Sequence, residues 1–62
     1  MKYYDMTNAE LWNTYNASAE YDPEMCKEIC SRVGTYEDYY YASSENVDSV
    51  MEEAAEQLKA SV

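Results

Sequence analysis

The chain has 62 residues and a formal net charge of −9, from thirteen acidic residues against four basic ones and no histidine. This length predicts one domain, residues 1–62, and no stretch approaches the roughly 20 apolar residues of a membrane span. The lack of histidine removes the usual zinc ligand sets and the ordinary catalytic triad. No apolar run near the N-terminus resembles a secretion signal, so a cytoplasmic protein is expected.

A complete start signature predicts the first helix, over residues 8–18. Thr7 and Glu10 have the spacing of a capping box, in which each side chain bonds the backbone amide of the other residue. Apolar side chains then recur at the spacing of one helical face, which predicts that they point into a core. They are Leu11, Trp12, Tyr15 and Ala19.

The second helix is predicted over residues 23–33. Asp22 is a favourable N-cap, Pro23 suits the first helical position, and Gly34 suits the left-handed residue that ends a helix. The predicted core face carries Met25, Cys26, Ile29, Cys30 and Val33. The exposed face is predicted to carry two ion pairs, Glu28 with Arg32 and Glu24 with Lys27.

Cys26 and Cys30 are the only cysteines, and their spacing places them on one face of this helix. The favoured interpretation is a pair of buried, reduced thiols that pack as small apolar side chains. A disulfide within one helical turn has unfavourable geometry, whereas pairing between molecules or a redox role stays open.

The segment over residues 34–44 has two interpretations. Thr35 and Asp38 resemble a second capping box, which predicts a short helix over residues 36–41. The alternative is an extended segment, because tyrosine favours strands. No second strand is apparent as its partner, so the helix is preferred.

The last predicted helix covers residues 45–60, with Ser43 or Ser44 as its N-cap. Its apolar pattern is the most regular in the chain, and the two alanines in it allow a neighbouring helix to approach closely. The pattern consists of Val47, Val50, Met51, Ala54, Ala55 and Leu58. The expected fold is therefore all-α, a compact bundle of three to four short helices.

Negative charge is concentrated in the second half of the chain. Residues 1–33 carry six acidic and three basic residues, whereas residues 34–62 carry seven acidic residues and Lys59 alone. Glu45, Asp48, Glu52 and Glu56 are predicted to form one stripe along the last helix, about 4.5–6 Å apart along its axis and comparable to neighbouring phosphates of a nucleic-acid strand. Like charges four residues apart are unfavourable in a helix, which favours a functional role for the stripe. The alternative is a solvated face that only aids solubility.

Eight tyrosines without any phenylalanine are too many to bury with satisfied hydroxyls in so small a core. Tyr15 is expected in the core, and Tyr21 is expected to brace the turn between the first two helices. The tyrosines beside the acidic residues are interpreted as contacts for a protein partner, because their rings can bind its arginine or lysine side chains through cation–π contact. They are Tyr36, Tyr39, Tyr40 and Tyr41.

Catalytic and cofactor motifs are lacking: the sequence contains no glycine-rich phosphate loop and no calcium-loop spacing, so neither an enzyme nor a cofactor is expected. In its small size, acidity and aromatic surface the chain resembles phage-encoded inhibitors of bacterial defence, including anti-CRISPR and anti-restriction proteins that mimic DNA. The acids carrying this resemblance are Glu37, Asp38, Glu45, Asp48, Glu52, Glu53 and Glu56, beside the tyrosines.

The resemblance implies a non-enzymatic inhibitor, made by a phage in a bacterial cell, that blocks the basic nucleic-acid-binding site of a CRISPR effector or nuclease. Direct nucleic-acid binding is not expected, because so acidic a surface repels phosphates. The alternative is a helical interaction module or homo-oligomeric adaptor, such as a homodimer, that uses the tyrosine-rich surface. The predicted partner contacts are Tyr36, Glu37, Asp38, Tyr39, Tyr40, Glu45, Asp48, Glu52, Glu53 and Glu56.

Overall fold

Four α-helices make up the fold in a computed structural model, which describes residues 3–20 and 22–62. They are α1 (Asn8–Ala17), α2 (Pro23–Val33), α3 (Tyr36–Tyr41) and α4 (Val47–Ala60). A single turn of 3-10 helix, Tyr3–Asp5, precedes them, and the described residues contain no strand. The predicted all-α bundle is confirmed. The predicted bracing role of Tyr21 lies outside the described residues.

The start of α1 is the predicted capping box. The backbone amide of Thr7 donates to Glu10 Oε1 at 3.0 Å, and the amide of Glu10 donates to Thr7 Oγ1 at 3.2 Å. The hydrogen bond from the Thr7 backbone is the largest cause of the lowered pKa of Glu10. The helix ends at Ala17, one residue earlier than predicted, because Ser18 adopts an extended backbone. Ala19 therefore lies outside the helix and is exposed, and its predicted place in the core is wrong.

Helix α2 has the predicted bounds and the predicted caps. The Asp22 side chain accepts the Glu24 amide at 2.9 Å, and Pro23 occupies the first turn. The predicted pair of Glu28 and Arg32 is confirmed at 2.7 Å, and it is the only ion pair found within residues 3–20 and 22–62. The predicted pair of Glu24 with Lys27 is therefore wrong.

Arg32 also joins α2 to the N-terminal part of the chain. Its guanidinium donates to the Asn8 side chain at 2.9 Å and to the Tyr3 carbonyl at 3.1 Å. A second contact across the same boundary comes from the Tyr3 hydroxyl, which donates to Asp22 Oδ2 at 3.1 Å. That hydrogen bond is the largest cause of the raised pKa of Tyr3. The 3-10 turn is thus fastened to both ends of α2.

Gly34 ends α2 with φ of 78°, the left-handed conformation that the sequence predicts. A Cβ at this position would meet no atom within 4 Å, so the cost of a side chain there comes from the left-handed backbone conformation alone. We expect Gly34→Ala to lower the free energy of unfolding by about 1–2 kcal/mol and Gly34→Asn to lower it less, because asparagine tolerates this conformation. Urea denaturation followed by circular dichroism measures both variants, and equal losses would contradict the backbone explanation.

The core lies where α2 packs against α4, with α1 closing one side. Among the described residues, every buried side chain comes from these three helices, and α3 contributes none. Ala54 and Ala55 are both buried, as expected for a helix that a neighbour approaches closely. The buried side chains are Leu11, Met25, Cys26, Ile29, Cys30, Met51, Ala54, Ala55 and Leu58.

Helix α3 is present as predicted, but its predicted cap is not. Thr35 makes no capping hydrogen bond through its side chain, and its buried hydroxyl has no hydrogen-bond partner among the described residues. The hydroxyl lies near the Cys30 thiol, where it acts to lower the pKa of that thiol.

Helix α4 begins at Val47, two residues later than predicted. Neither predicted serine caps it with a side chain; the Ser43 carbonyl instead accepts the amides of Asn46 and Val47 at 3.0 and 2.9 Å. Residues 44–46 form a turn held by these bonds. Glu45 therefore lies in the turn before α4, and the predicted helical stripe loses its first member.

Candidate partner-binding surface

Seven carboxylates cover α3, the turn that follows it and α4. All seven side chains are exposed, and none takes part in an ion pair between described residues. Lys59 is the only basic residue in the same part of the chain. We call this set the acidic surface: Glu37, Asp38, Glu45, Asp48, Glu52, Glu53 and Glu56.

Two grooves divide most of the acidic surface. The groove between α3 and α4, about 560 Å³, has Glu37, Asp38 and Glu53 along its walls. The groove between α1 and α4, about 420 Å³, has three other acids along one wall. These are Asp48, Glu52 and Glu56. Three members of the predicted stripe therefore lie together on one groove, whereas Glu53, which is not part of that stripe, lies on the other.

Three tyrosines on α3 form an exposed group beside the first groove. Tyr36, Tyr40 and Tyr41 are 39%, 64% and 79% exposed. The Tyr36 and Tyr40 rings are stacked with centroids 6.2 Å apart, and the Tyr41 ring meets Tyr40 edge-on at 5.0 Å. We call these three residues the tyrosine cluster. Its rings contact one another and leave large faces open to solvent.

Tyr39 differs from its neighbours because it is half-buried and packs against the core. Burial is the largest cause of its raised pKa, and the nearby Cys26 thiol contributes to the same shift. The contact role of Tyr39 stays a prediction, and less of its ring is open to a partner than in the three exposed tyrosines of the cluster. Its packing anchors α3 on α2.

Trp12 and Tyr15 form the aromatic wall of the α1/α4 groove. Both are half-buried against the core, as the sequence predicts, and their rings are stacked with centroids 6.0 Å apart. Both side chains also line the groove opposite the three acids of α4. The Lys59 ammonium lies 5.8 Å from the centroid of the Trp12 ring. The sequence predicts both aromatics in the core alone, and only the packing of α1 on α4 shows that they also line a groove.

The two thiols lie in the core rather than on either groove. Cys26 and Cys30 are free, with 3% and 0% of their surface exposed, which confirms the interpretation as buried, reduced side chains. Burial is the largest cause of the raised pKa of each thiol. The Cys30 thiol also contacts the Met51 sulfur at 4.0 Å. Raised pKa values and burial together disfavour the reactive thiolate form.

We expect both thiols to be unreactive in the native protein. Because modification requires opening of the core, a chromogenic disulfide reagent should react on the order of a hundredfold more slowly than with the urea-unfolded chain. Absorbance of the released thiolate measures both rates. Equal rates would mean that the core opens freely at Cys26 or Cys30.

Comparison with known proteins identifies no family for the chain. No protein-family model matches the sequence, and neither a curated protein nor a solved structure is significantly similar to it. Among the described residues, no helix has the length and apolar character needed to cross a membrane. Residues 3–20 and 22–62 also contain no cluster of side chains suited to hold a metal ion.

Proposed function

We propose that this protein is a stoichiometric, non-enzymatic inhibitor that occupies the basic nucleic-acid-binding site of a partner protein, such as a nuclease or a CRISPR effector. The observation that carries the proposal is the acidic surface: seven exposed carboxylates with no ion pair between described residues. A partner that binds nucleic acid presents lysines and arginines to phosphates, and the same side chains accept carboxylates. The expected setting is the cytoplasm of a bacterial cell, with a phage as the source.

The spacing of the carboxylates supports this proposal. Asp48, Glu52 and Glu56 are four residues apart on α4, which separates them by about 6 Å along the helix axis. One nucleic-acid strand carries a charge about every 3.4 Å of its axis, a distance of the same order. A row of this kind can contact several basic side chains of a groove at once.

The energetics of α4 also support a role for these acids beyond folding. Asp48 with Glu52, and Glu52 with Glu56, are like charges four residues apart, and each pair is unfavourable by roughly 0.2–0.5 kcal/mol. Helix α2 has one such pair, Glu24 with Glu28, but there Arg32 binds Glu28 at 2.7 Å. On α4 no ion pair between described residues offsets the repulsion.

The tyrosine cluster favours a second candidate function, a helical interaction module or homo-oligomeric adaptor. Exposed tyrosines whose rings contact one another are typical anchors of protein interfaces. In that case Tyr40→Ala should weaken association while charge reversals change it little. Size-exclusion chromatography with mass detection at two salt concentrations separates the candidates, because an apolar homodimer survives high salt.

Affinity capture tests the first candidate. The immobilised chain is incubated with a nuclease-treated bacterial lysate, and bound proteins are eluted with rising salt or with duplex DNA. We expect a nucleic-acid-binding protein that added DNA releases and that salt weakens, because the binding is electrostatic. A Glu52→Lys/Glu56→Lys chain should recover much less of it. Equal recovery on a folded Glu52→Lys/Glu56→Lys chain would contradict the proposal.

A further inference from the structure

The two walls of the α1/α4 groove have different chemistry. Trp12 and Tyr15 supply stacked rings on one side, whereas the carboxylates of α4 supply negative charge on the other. Ala55, which is buried and small, lies between the walls and leaves the groove open above it. An aromatic face opposite carboxylates is suited to a cation that is flat enough to stack and able to donate several hydrogen bonds.

A cation of this chain already lies against the aromatic wall. The Lys59 ammonium is 5.8 Å from the Trp12 ring centroid, within the distance at which the ring attracts positive charge. Lys59 follows Glu56 by three residues on α4 and is exposed. Its position shows that a positive charge is accommodated at Trp12. Three carboxylates line the groove against this single ammonium, so the groove keeps a net negative charge that can attract a further cation.

We infer that the α1/α4 groove receives an arginine side chain of a basic partner protein, stacked on Trp12 and Tyr15 and paired with the carboxylates of Asp48, Glu52 and Glu56. This inference rests on the proposed function and names the side chain of the partner that one groove recognises. Arginine fits better than lysine, because its planar guanidinium stacks on rings and forms paired hydrogen bonds to a carboxylate. Lysine is a strongly hydrated point charge that gains less from either wall.

A second copy of this chain cannot supply the arginine. Arg32 is the only arginine in the sequence. Its guanidinium is already bonded to Glu28, to the Asn8 side chain and to the Tyr3 carbonyl. If this guanidinium bound the groove of a second copy, it would lose the contacts that hold the 3-10 turn to α2. The occupant therefore belongs to a different, basic protein.

The test uses Trp12 as its own reporter, because it is the only tryptophan in the chain. Poly-arginine and poly-lysine peptides of equal length are titrated at low ionic strength, and binding is followed by calorimetry and by Trp12 fluorescence. We expect the arginine peptide to change the fluorescence and to bind roughly fivefold more tightly than the lysine peptide. Glu52→Gln should weaken arginine binding roughly fivefold.

Glu53→Gln is the matched control, since Glu53 is the next residue of α4 but lines the other groove. It should weaken binding less than twofold, roughly the effect of losing one distant surface charge. If both variants weaken both peptides equally and the fluorescence does not change, the arginine site is wrong while the acidic surface stands. If calorimetry detects neither peptide, the proposed function fails together with the site.

Discussion

The Ile29→Ala variant is expected to lose most of its stability. Ile29 is fully buried in α2 where α2 meets α4, and its truncation leaves a cavity that costs about 2–5 kcal/mol. A domain of this length has roughly 3–9 kcal/mol of stability in total. The variant should therefore unfold at a much lower urea concentration than the wild type. Urea denaturation followed by circular dichroism measures the loss.

Two control variants make this result specific to the core. Ile29→Val removes one methylene group and should cost about 0.5–1.5 kcal/mol, which leaves the protein folded. Gln57→Ala changes an exposed position on α4 and should shift stability by less than about 0.5 kcal/mol. A folded Ile29→Ala protein with wild-type stability would mean that the α2–α4 contact is not the centre of the core.

The Glu52→Lys/Glu56→Lys variant is expected to lose binding affinity without losing stability. It changes the net charge from −9 to −5 and replaces the repulsion between position 52 and Asp48 by attraction. Its free energy of unfolding should therefore equal that of the wild type or exceed it by up to about 1 kcal/mol. Its affinity for a poly-arginine peptide should fall roughly tenfold or more at low ionic strength. Urea denaturation and calorimetry give the two values.

The matched control places the same charge change elsewhere. Asp5 and Glu20 are exposed and lie outside the acidic surface, so Asp5→Lys/Glu20→Lys also carries a net charge of −5. When both double variants are compared at about 0.15 M ionic strength, its peptide affinity should fall less, because the Debye length there is only about 8 Å. Equal losses in the two double variants would show that net charge alone drives binding.

Local signals in the sequence predict the helix ends that depend on neighbouring residues. Thr7 and Glu10 bond each other, Pro23 suits the first turn of α2, and Gly34 takes the left-handed conformation. Each of these features depends on residues within one turn, so no information about packing is needed. The regular apolar pattern of α4 likewise predicts its buried face.

The sequence does not predict the features that depend on packing. Thr35 has the spacing of a cap, yet its hydroxyl is buried beside Cys30 and its backbone does not reach the geometry that a cap requires. The turn at residues 44–46 is closed by the Ser43 carbonyl, so α4 starts late and Glu45 leaves the stripe. Backbone bonds of this kind have no signature in the residue types.

The candidate surface is predicted in composition but not in arrangement. Sequence reasoning finds its acids and its tyrosines, but it cannot show that α4 borders two grooves or that Tyr39 packs inward. The sequence does not predict that Trp12 lines a groove, because one ring can pack against the core and still line a groove. Only the position of α1 relative to α4 distinguishes the two faces of that ring.

Displacement of nucleic acid tests the central claim most directly. The protein recovered by affinity capture is bound to fluorescein-labelled duplex DNA, and the chain is titrated in while anisotropy is measured. The proposed inhibitor should release the DNA at close to one chain per binding site, and Glu52→Lys/Glu56→Lys should require roughly tenfold more protein. Formation of a stable ternary complex, in which the DNA stays bound at saturating chain, would contradict the account.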